Sequence, residues 1–364
     1  MSKIAIKKLH KSEIEIEGEL DSEIFESYFT KALKKIGDTL QLDGFRKGKI
    51  PENILLSKIP EINILEEMAE MALGEHYPKF LENEKIDAIG RPKISITKLA
   101  RKNPLGFKIK TAVLPEIKLP EYKNIAKEII SKITDAEKNI IVSDEDLENT
   151  IMDIRKSRAP KKHMADSPEN DLTPNPSPYK GEGGEIDLPE LNDAFVQAMG
   201  PFKDVADFKA KLKENIKLEK ENQAKEKTRL KIIEKIIEES EIDLPEILIE
   251  VELDKILYKM ESDITQMGLK FEDYLKHLNK TAADLRKEFK NDGEKKAKFA
   301  LVLNEIAKVE KIIADEEQVE KEVATILEHY KDADPERARM HAENVLTNEK
   351  IFQFLESINH GSGE

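Results

Sequence analysis

The sequence predicts an α+β N-terminal domain followed by a mainly α-helical, elongated C-terminal domain with helical arms. Near both ends of residues 1–117, apolar and polar residues alternate, whereas the residues between them follow helical spacing. From residue 186 onward, apolar residues recur every three to four positions over long stretches. Charged residues make up 37% of the chain, hydrophobic residues 39% and aromatic residues 5%. This composition favours long helices in an open shape over one compact globule.

The first predicted domain, residues 1–117, pairs terminal strands around central helices. Isoleucines alternate with charged residues in residues 3–19, and the alternation returns in PKISITKL and LGFKIKTAV, so these segments are predicted strands. Between them, apolar residues at helical spacing predict helices. The predicted helices run from Asp21 to about Leu40, from Pro51 through Leu56, and from Ile64 to Phe80.

A connector and a linker are predicted to follow this domain. Residues 118–160 should begin extended at LPEYKNI and become helical at Ser143, which forms a capping pattern with Asp146. Residues 161–185 contain four Pro and three Gly and almost nothing apolar. Such a segment buries too little surface to offset the entropy of ordering, so we expect a disordered, flexible linker.

Residues 186–364 are predicted to form a helical domain. A long helix begins near Phe208 and ends at EIDLPE, since Pro245 disfavours a helical residue before it. A second helix should stop at Gly268, a short one covers FEDYLKHL, and another long one opens at Thr281. A last helical region covers 315–357. The apolar positions of these helices, most of them expected in the core and some facing a shared concavity, include Ile232, Ile236, Met260, Met267, Leu301 and Phe352.

Charge and cysteine content exclude several classes of function. The net charge of −14 disfavours free binding to bare nucleic acid or to an anionic membrane. Residues 1–117 contain 20 Lys and Arg against 19 Asp and Glu, a net of +1, so the remainder carries −15. The chain has no Cys, which excludes disulfides and thiolate metal sites. Neither a signal peptide nor an apolar run of ~20 residues is visible, and we expect a cytosolic protein.

No catalytic or metal-binding pattern stands out. The seven histidines show no metal-ligand spacing, and surface or helix-face positions explain them. Gly44 to Lys49 departs from a phosphate-binding loop, because three residues separate its glycines and Ile50 follows the lysine. The acidic cluster at 144–146 lacks the spacing of a calcium loop and suits the start of a helix.

The informative segment is DGFRKGKIP, residues 43–51. Its two glycines permit a tight loop between helices. Its cations and nearby Lys58 make the loop basic, and Phe45 is a large apolar group where nothing requires burial. An aromatic beside arginine is typical of an interface anchor, and basic neighbours suit a surface of RNA and protein. A plain helix–helix turn, with Phe45 packed inward and the charges solvated, is the alternative, and the residues alone do not decide between the two.

The segment GFRKGKIP resembles the ribosome-docking signature of trigger factors, Gly-Phe-Arg-x-Gly-Lys-x-Pro. In that family the tip, here Phe45, Arg46 and Lys47, contacts a ribosomal protein beside the nascent-chain exit tunnel. Similar segments are GRPKI, IDLPEILIE, GLKFEDYLKHLNKTAADLRKEF and KFALVLNEIAKVEKI, so the resemblance covers nearly the whole chain. The ribosome-binding residues that it implies are Gly44, Phe45, Arg46, Lys47, Gly48, Lys49 and Pro51.

The resemblance implies an ATP-independent chaperone that docks at the tunnel exit and assists folding and protein export. The implied partners are the ribosome, through a tunnel-exit protein and nearby rRNA, and nascent or unfolded polypeptides. No cofactor and no membrane are implied, and a weak homodimer off the ribosome is allowed. The location is cytoplasmic and partly ribosome-associated.

One departure from the family is clear. Trigger factors usually carry an FKBP-type prolyl-isomerase domain, which needs roughly 80–100 residues. Here the helix ending near Arg158 is followed by the predicted linker and then by IDLPELNDAF, which resembles the entry to the C-terminal domain. The isomerase domain is therefore expected to be absent and its activity is not carried over. The alternatives are a helical adaptor or assembly protein not bound to ribosomes, which would not need the loop tip, and an enzyme with a convergent polar site.

Overall fold

The computed structural model describes residues 4–43, 45–46, 48–133, 140–159 and 188–358. By their contacts, the described residues of 1–122 and 234–351 form one compact unit, and those of 123–233 and 352–364 form another. The predicted linker 161–185 lies outside the described residues.

The N-terminal part is α+β, as predicted. Its elements are β1 Ile4–Lys8, β2 Glu13–Leu20, α1 Ser22–Glu26, α2 Phe29–Thr39, α3 Glu52–Lys58, α4 Glu61–Asn83, β3 Ala88–Lys98 and β4 Leu105–Val113. The four strands form an antiparallel sheet in the order β1-β2-β4-β3. The terminal strands thus pair and the helices come from the middle of the segment.

One face of the sheet supplies the core of this part. Ile16 of β2 lies opposite Ile109 of β4, and both are buried. The helices cover this face with Phe25, Met68 and other buried side chains. The opposite face is charged, and Lys108 lies 3.4 Å from Glu15 across the two strands. On β2 and β4 the alternation in the sequence therefore corresponds to one buried and one solvated face, whereas Ile6 of β1 and Ile94 and Ile96 of β3 are exposed.

The rest of the chain is mainly helical, again as predicted. Its elements are β5 Ile117–Lys118, α5 Tyr122–Ser131, α6 Asp144–Arg158, α7 Asp193–Gln197, α8 Val205–Glu239, β6 Glu241–Ile242, α9 Glu246–Gln266, α10 Phe271–His277, α11 Ala282–Glu288, α12 Lys290–Glu310, α13 Glu316–His329 and α14 Pro335–Ser357. The short strands β5 and β6, which pair antiparallel, were not predicted.

The structure corrects the extended start expected for the connector. The residues YKNI of LPEYKNI begin helix α5. Leu119, which precedes Pro120, stays outside the helix, whereas Tyr122, Ile125 and Ala126 are buried at helical spacing, so burial of one helical face decides the conformation of YKNI. The predicted helix from Asp21 to Leu40 is also interrupted, and α1 and α2 are separated by Ser27 and Tyr28.

Candidate functional site

The segment 43–51 lies in the loop between α2 and α3, and both ends of that loop are anchored in the N-terminal core. Leu40 and Ile50 are partly buried and pack against the core cluster. Between them, the side chains of Asp43, Phe45 and Lys49 are exposed. The loop is therefore a surface tip on a fixed base.

Local hydrogen bonds and a glycine shape the loop. The Phe45 N–H donates to the Leu42 carbonyl at 3.1 Å, and the Lys49 N–H donates to the Arg46 carbonyl at 2.9 Å. Gly48 has φ +75°, in the left-handed region that favours glycine. A Cβ added there would lie 3.3 Å from Asp38 Oδ1. The backbone therefore favours glycine at this position, as the loop motif suggests.

Pro51 lies just before α3, whereas the sequence predicted it in the first turn of that helix. Its backbone angles are φ −62° and ψ 145°. The fixed φ of proline suits this entry, and its missing N–H is not needed there.

The loop exposes one aromatic ring among cations. Phe45 is 39% exposed and does not belong to the core cluster, which disfavours the inward-packed alternative. Arg46, Lys49 and Lys58 are exposed, and Arg46 and Lys49 form no ion pair with any residue that the structure describes. Gly44 and Lys47 lie outside the described residues. The described part of the tip therefore exposes an apolar group next to positive charge, a combination typical of interface residues.

Close helix packing holds the base of the loop. A Cβ on Gly37 of α2 would lie 2.8 Å from Leu55 Cδ1 of α3, so glycine lets these two helices approach. Lys35 Nζ lies 2.5 Å from Glu67 Oε1 and joins α2 to α4. The hydrogen bond with Glu67 raises the pKa of Lys35. The helices on both sides of the tip are thus fixed to each other.

A second feature is the pair of helices α9 and α12. Leu253 and Ile249 of α9 pack with Ala297 of α12. Gly293 lies at the contact, where an added Cβ would be 3.2 Å from Leu253 Cγ. Arg286, which precedes α12, donates to Glu250 at 2.7 Å and also bonds Asp254. Apolar packing and charged hydrogen bonds together hold this pair of helices.

Several large apolar side chains of the helical region remain on the surface. Tyr258 and Met267 are each 76% exposed and Ile313 is 77% exposed. Of the six positions singled out from the sequence, Ile232 and Ile236 are buried and Met267 is exposed. Met260, Leu301 and Phe352 are partly buried. Core packing therefore accounts for most of that set, and the exposed side chains Tyr258 and Ile313 had no distinguishing signal in the sequence.

The described part of the chain shows neither a metal-ligand cluster nor a membrane-spanning helix. No group of three or more His, Asp or Glu side chains there could hold a metal ion. None of its helices combines the length and the apolar character needed to cross a membrane. The acidic cluster at 144–146 instead begins α6, where Ser143 and Asp146 form the predicted capping box.

Comparisons with known proteins agree over both ends of the chain. The family model described as bacterial trigger factor protein matches residues 2–154, and the model of the trigger factor C-terminus matches residues 204–355. The trigger factor of Bacillus subtilis (strain 168) is 26% identical, with 86% of this chain and 88% of that protein covered. The trigger factor of Clostridium botulinum (strain Langeland) is 23% identical, with 98% and 96% covered.

A solved structure has the same fold. It was described for promiscuous substrate recognition in the folding and assembly activities of the trigger factor chaperone. It is 20% identical, with a TM-score of 0.53, and the match covers 97% of this chain and 99% of that one.

The spacing between the two matched parts bears on the isomerase domain. Residues 155–203, which are 49 residues, separate them, whereas a domain of the FKBP type needs roughly 80–100. The matched N-terminal part contains the loop 43–51, and the matched C-terminal part contains the helices α9 and α12. The chain therefore belongs to the trigger factor family of bacterial chaperones, as a form without the prolyl-isomerase domain.

Proposed function

We propose that this protein is an ATP-independent chaperone of the cytoplasm that docks at the ribosomal tunnel exit through the loop 43–51. There it binds newly synthesised, unfolded polypeptides and assists their folding and export. The observation that supports docking most directly is the exposed Phe45 beside Arg46 and Lys49, which form no ion pair with a described residue, on a loop anchored in the core.

The chemistry of the loop suits a ribosomal surface, which combines phosphate with protein. Cations attract the phosphates of RNA from a distance, and this attraction weakens with salt. An aromatic side chain at the centre of an interface supplies much of the binding energy. The family resemblance assigns this contact to a ribosomal protein at the exit, with rRNA nearby.

The exposed apolar side chains of the helical region suit unfolded clients. Met267 is flexible and can repack around different partners. Tyr258 and Ile313 add large apolar area with charged neighbours that maintain solubility. Several weak contacts acting together can hold a client and release it without nucleotide. The net charge of −15 after residue 117 should disfavour strongly acidic clients.

Two measurements on the purified full chain test this function. The chain should pellet with ribosomes at low salt and less so at higher salt. It should also slow the aggregation of a chemically denatured protein with no nucleotide present. A chain that does neither is not a chaperone of this kind, and the helical adaptor becomes the better explanation.

A further inference from the structure

A specific polar contact joins the N-terminal sheet to the segment between α8 and α9. The turn of the β1–β2 hairpin donates two consecutive backbone N–H groups to one carboxylate. The Lys11 N–H lies 2.9 Å from Asp243 Oδ1, and the Ser12 N–H lies 2.8 Å from Asp243 Oδ2. The Ser12 hydroxyl donates to the Asp243 carbonyl oxygen at 2.6 Å. Asp243 thus binds the turn through three hydrogen bonds.

The backbone of the turn is shaped for this carboxylate. Lys11 and Ser12 have φ of +60° and +45°, a left-handed conformation that is uncommon for residues other than glycine. Consecutive N–H groups in such a turn converge and form an anion-binding concavity. The carboxylate therefore offsets a backbone conformation that the hairpin alone would disfavour.

An ion-pair chain extends the contact to α12. Lys11 Nζ lies 3.0 Å from Glu246 Oε2, and Lys290 Nζ lies 2.5 Å from Glu246 Oε1. The hydrogen bonds from Lys290 and then from Lys11 lower the pKa of Glu246. The hairpin turn is thereby linked to the start of both α9 and α12.

Two further contacts converge on residues 241–247. Gly90 of β3 has φ +73°, and a Cβ there would lie 2.0 Å from Ile247 Cδ1. Strand β5 pairs with β6, with Ile117 opposite Ile242. Beside these contacts lies an open cleft of about 500 Å³, lined by Leu9, Leu114 and other residues. Strand pairing, the close approach of Ile247 to Gly90 and the hydrogen bonds of Asp243 therefore meet at the same segment.

We propose that Asp243 is a positioning residue that sets the orientation of the α9–α12 helices relative to the sheet of the docking domain. The inference rests on the proposed function in one respect. If the contact between the β1–β2 turn and residues 241–247 is rigid, a chain docked through its loop presents the helices to a client in one orientation. The contact itself is intramolecular and does not need a ribosome. Its geometry depends on the hydrogen bonds of the exposed Asp243 carboxylate to two backbone N–H groups of the hairpin turn.

The test compares Asp243→Ala with Asp263→Ala in the full chain. Asp263 is an exposed residue of α9, and its substitution changes the charge equally. In the parent and in Asp263→Ala, hydrogen exchange at the amides of Lys11 and Ser12 should be slow. In Asp243→Ala these amides should exchange at least about tenfold faster, because their acceptor is gone.

A second readout measures orientation directly. The chain has no Cys, so spin labels can be placed on cysteines introduced at Asn53 of α3 and Lys259 of α9, both exposed. The distance distribution should be narrow in the parent and in Asp263→Ala, and broad in Asp243→Ala at an unchanged melting temperature. Fast exchange of both amides in the parent, or identical distance distributions in all three proteins, would overturn the assignment. Both measurements use the chain without ribosomes. A failure of ribosome docking would therefore count against the proposed function and not against the role of Asp243.

Discussion

At the scale of single residues, the loop 43–51 depends on a backbone angle that glycine adopts readily. Gly48 has φ +75° and sits next to Asp38. A backbone hydrogen bond of 2.9 Å joins Lys49 to Arg46 and closes a turn that contains Gly48. The glycine in the loop motif therefore matches the positive φ that the backbone adopts next to these side chains.

We predict that Gly48→Ala weakens ribosome binding about tenfold, because a left-handed non-glycine residue costs about 1–3 kcal/mol and the loop rearranges to avoid it. The melting temperature should change little, since the loop tip lies outside the core. Gly74→Ala is the matched control, because nothing lies within 4 Å of its added Cβ in α4. Equal ribosome binding by both variants, measured by co-sedimentation, would contradict this role of Gly48.

A second residue-scale prediction concerns acid stability. The Asp146 carboxylate accepts from the Ser143 N–H and hydroxyl and pairs with Lys220 at 2.6 Å. The hydrogen bond from Lys220 comes first among the causes that lower the pKa of Asp146 to about 2. Because the folded pKa is depressed, this stabilisation is present above the ordinary value of 3.8 and is lost as pH falls toward 2.

Asp146→Asn should therefore lower the melting temperature at pH 7, and the difference from the parent should shrink between pH 4 and pH 2. Asp144→Asn serves as the control, since the Asp144 side chain is 96% exposed and, among the described residues, pairs with Lys213 at 3.6 Å. A difference between parent and Asp146→Asn that stays constant over this pH range would show that the charge of Asp146 is not responsible.

At the scale of elements, the sequence predicts features that depend on neighbouring residues, such as helix caps. It does not predict contacts between distant segments. The capping boxes at Ser143 and Thr281 are both present, because their partners stand three residues away in the sequence. Helix α5 was missed, since burial of Tyr122 and Ala126 depends on neighbours that a short window does not contain. The contact of Lys11 with Asp243 spans 232 residues of sequence and has no local signature.

Helices α8 and α14 are joined by a buried charge, which gives a prediction at this scale. Arg229 is 4% exposed, donates to Glu356 at 2.7 Å and to Glu226 at 3.2 Å, and lies over the Phe352 ring. We expect Glu356→Ala to lower the free energy of unfolding by about 1–3 kcal/mol, because a buried guanidinium loses a bidentate acceptor.

The double variant Arg229→Met/Glu356→Leu should be nearly as stable as the parent, since apolar replacement removes the uncompensated charge together with its partner. Glu343→Ala, which removes an exposed pair with Arg339 within α14, is the control and should cost less than about 1 kcal/mol. Urea unfolding measures all three variants. If Glu356→Ala is as stable as Glu343→Ala, the buried Arg229–Glu356 pair does not stabilise the contact of α8 with α14.

At the scale of the whole molecule, the sequence was sufficient to recognise the family. The recognition rested on the short loop motif together with several helical segments, and the family models match at both ends of the chain. Long helical periods predicted the helical C-terminal part correctly. The choice of which apolar side chains stay exposed, such as Ile313, depends on tertiary packing and could not be read from periodicity.

The missing domain leads to a prediction about activity. The full chain should leave the cis–trans isomerisation of a short proline peptide at its uncatalysed rate, with time constants of tens to hundreds of seconds. The reason is that 49 residues between the matched parts cannot form an FKBP-type domain. An isolated FKBP-type isomerase is the positive control. Acceleration that grows in proportion to the concentration of the chain would refute this prediction.

Ribosome docking through the loop is the central claim, and one measurement tests it most directly. Phe45→Ala/Arg46→Ala/Lys47→Ala is compared with Tyr330→Ala/Lys331→Ala/Arg337→Ala, which removes one exposed aromatic residue and two cations elsewhere on the chain. Hot-spot truncations cost about 2 kcal/mol or more each, so the loop variant should bind ribosomes at least tens of times more weakly. The control should bind like the parent. If the folded loop variant co-sediments with ribosomes as strongly as the parent does, the loop 43–51 is not the docking site.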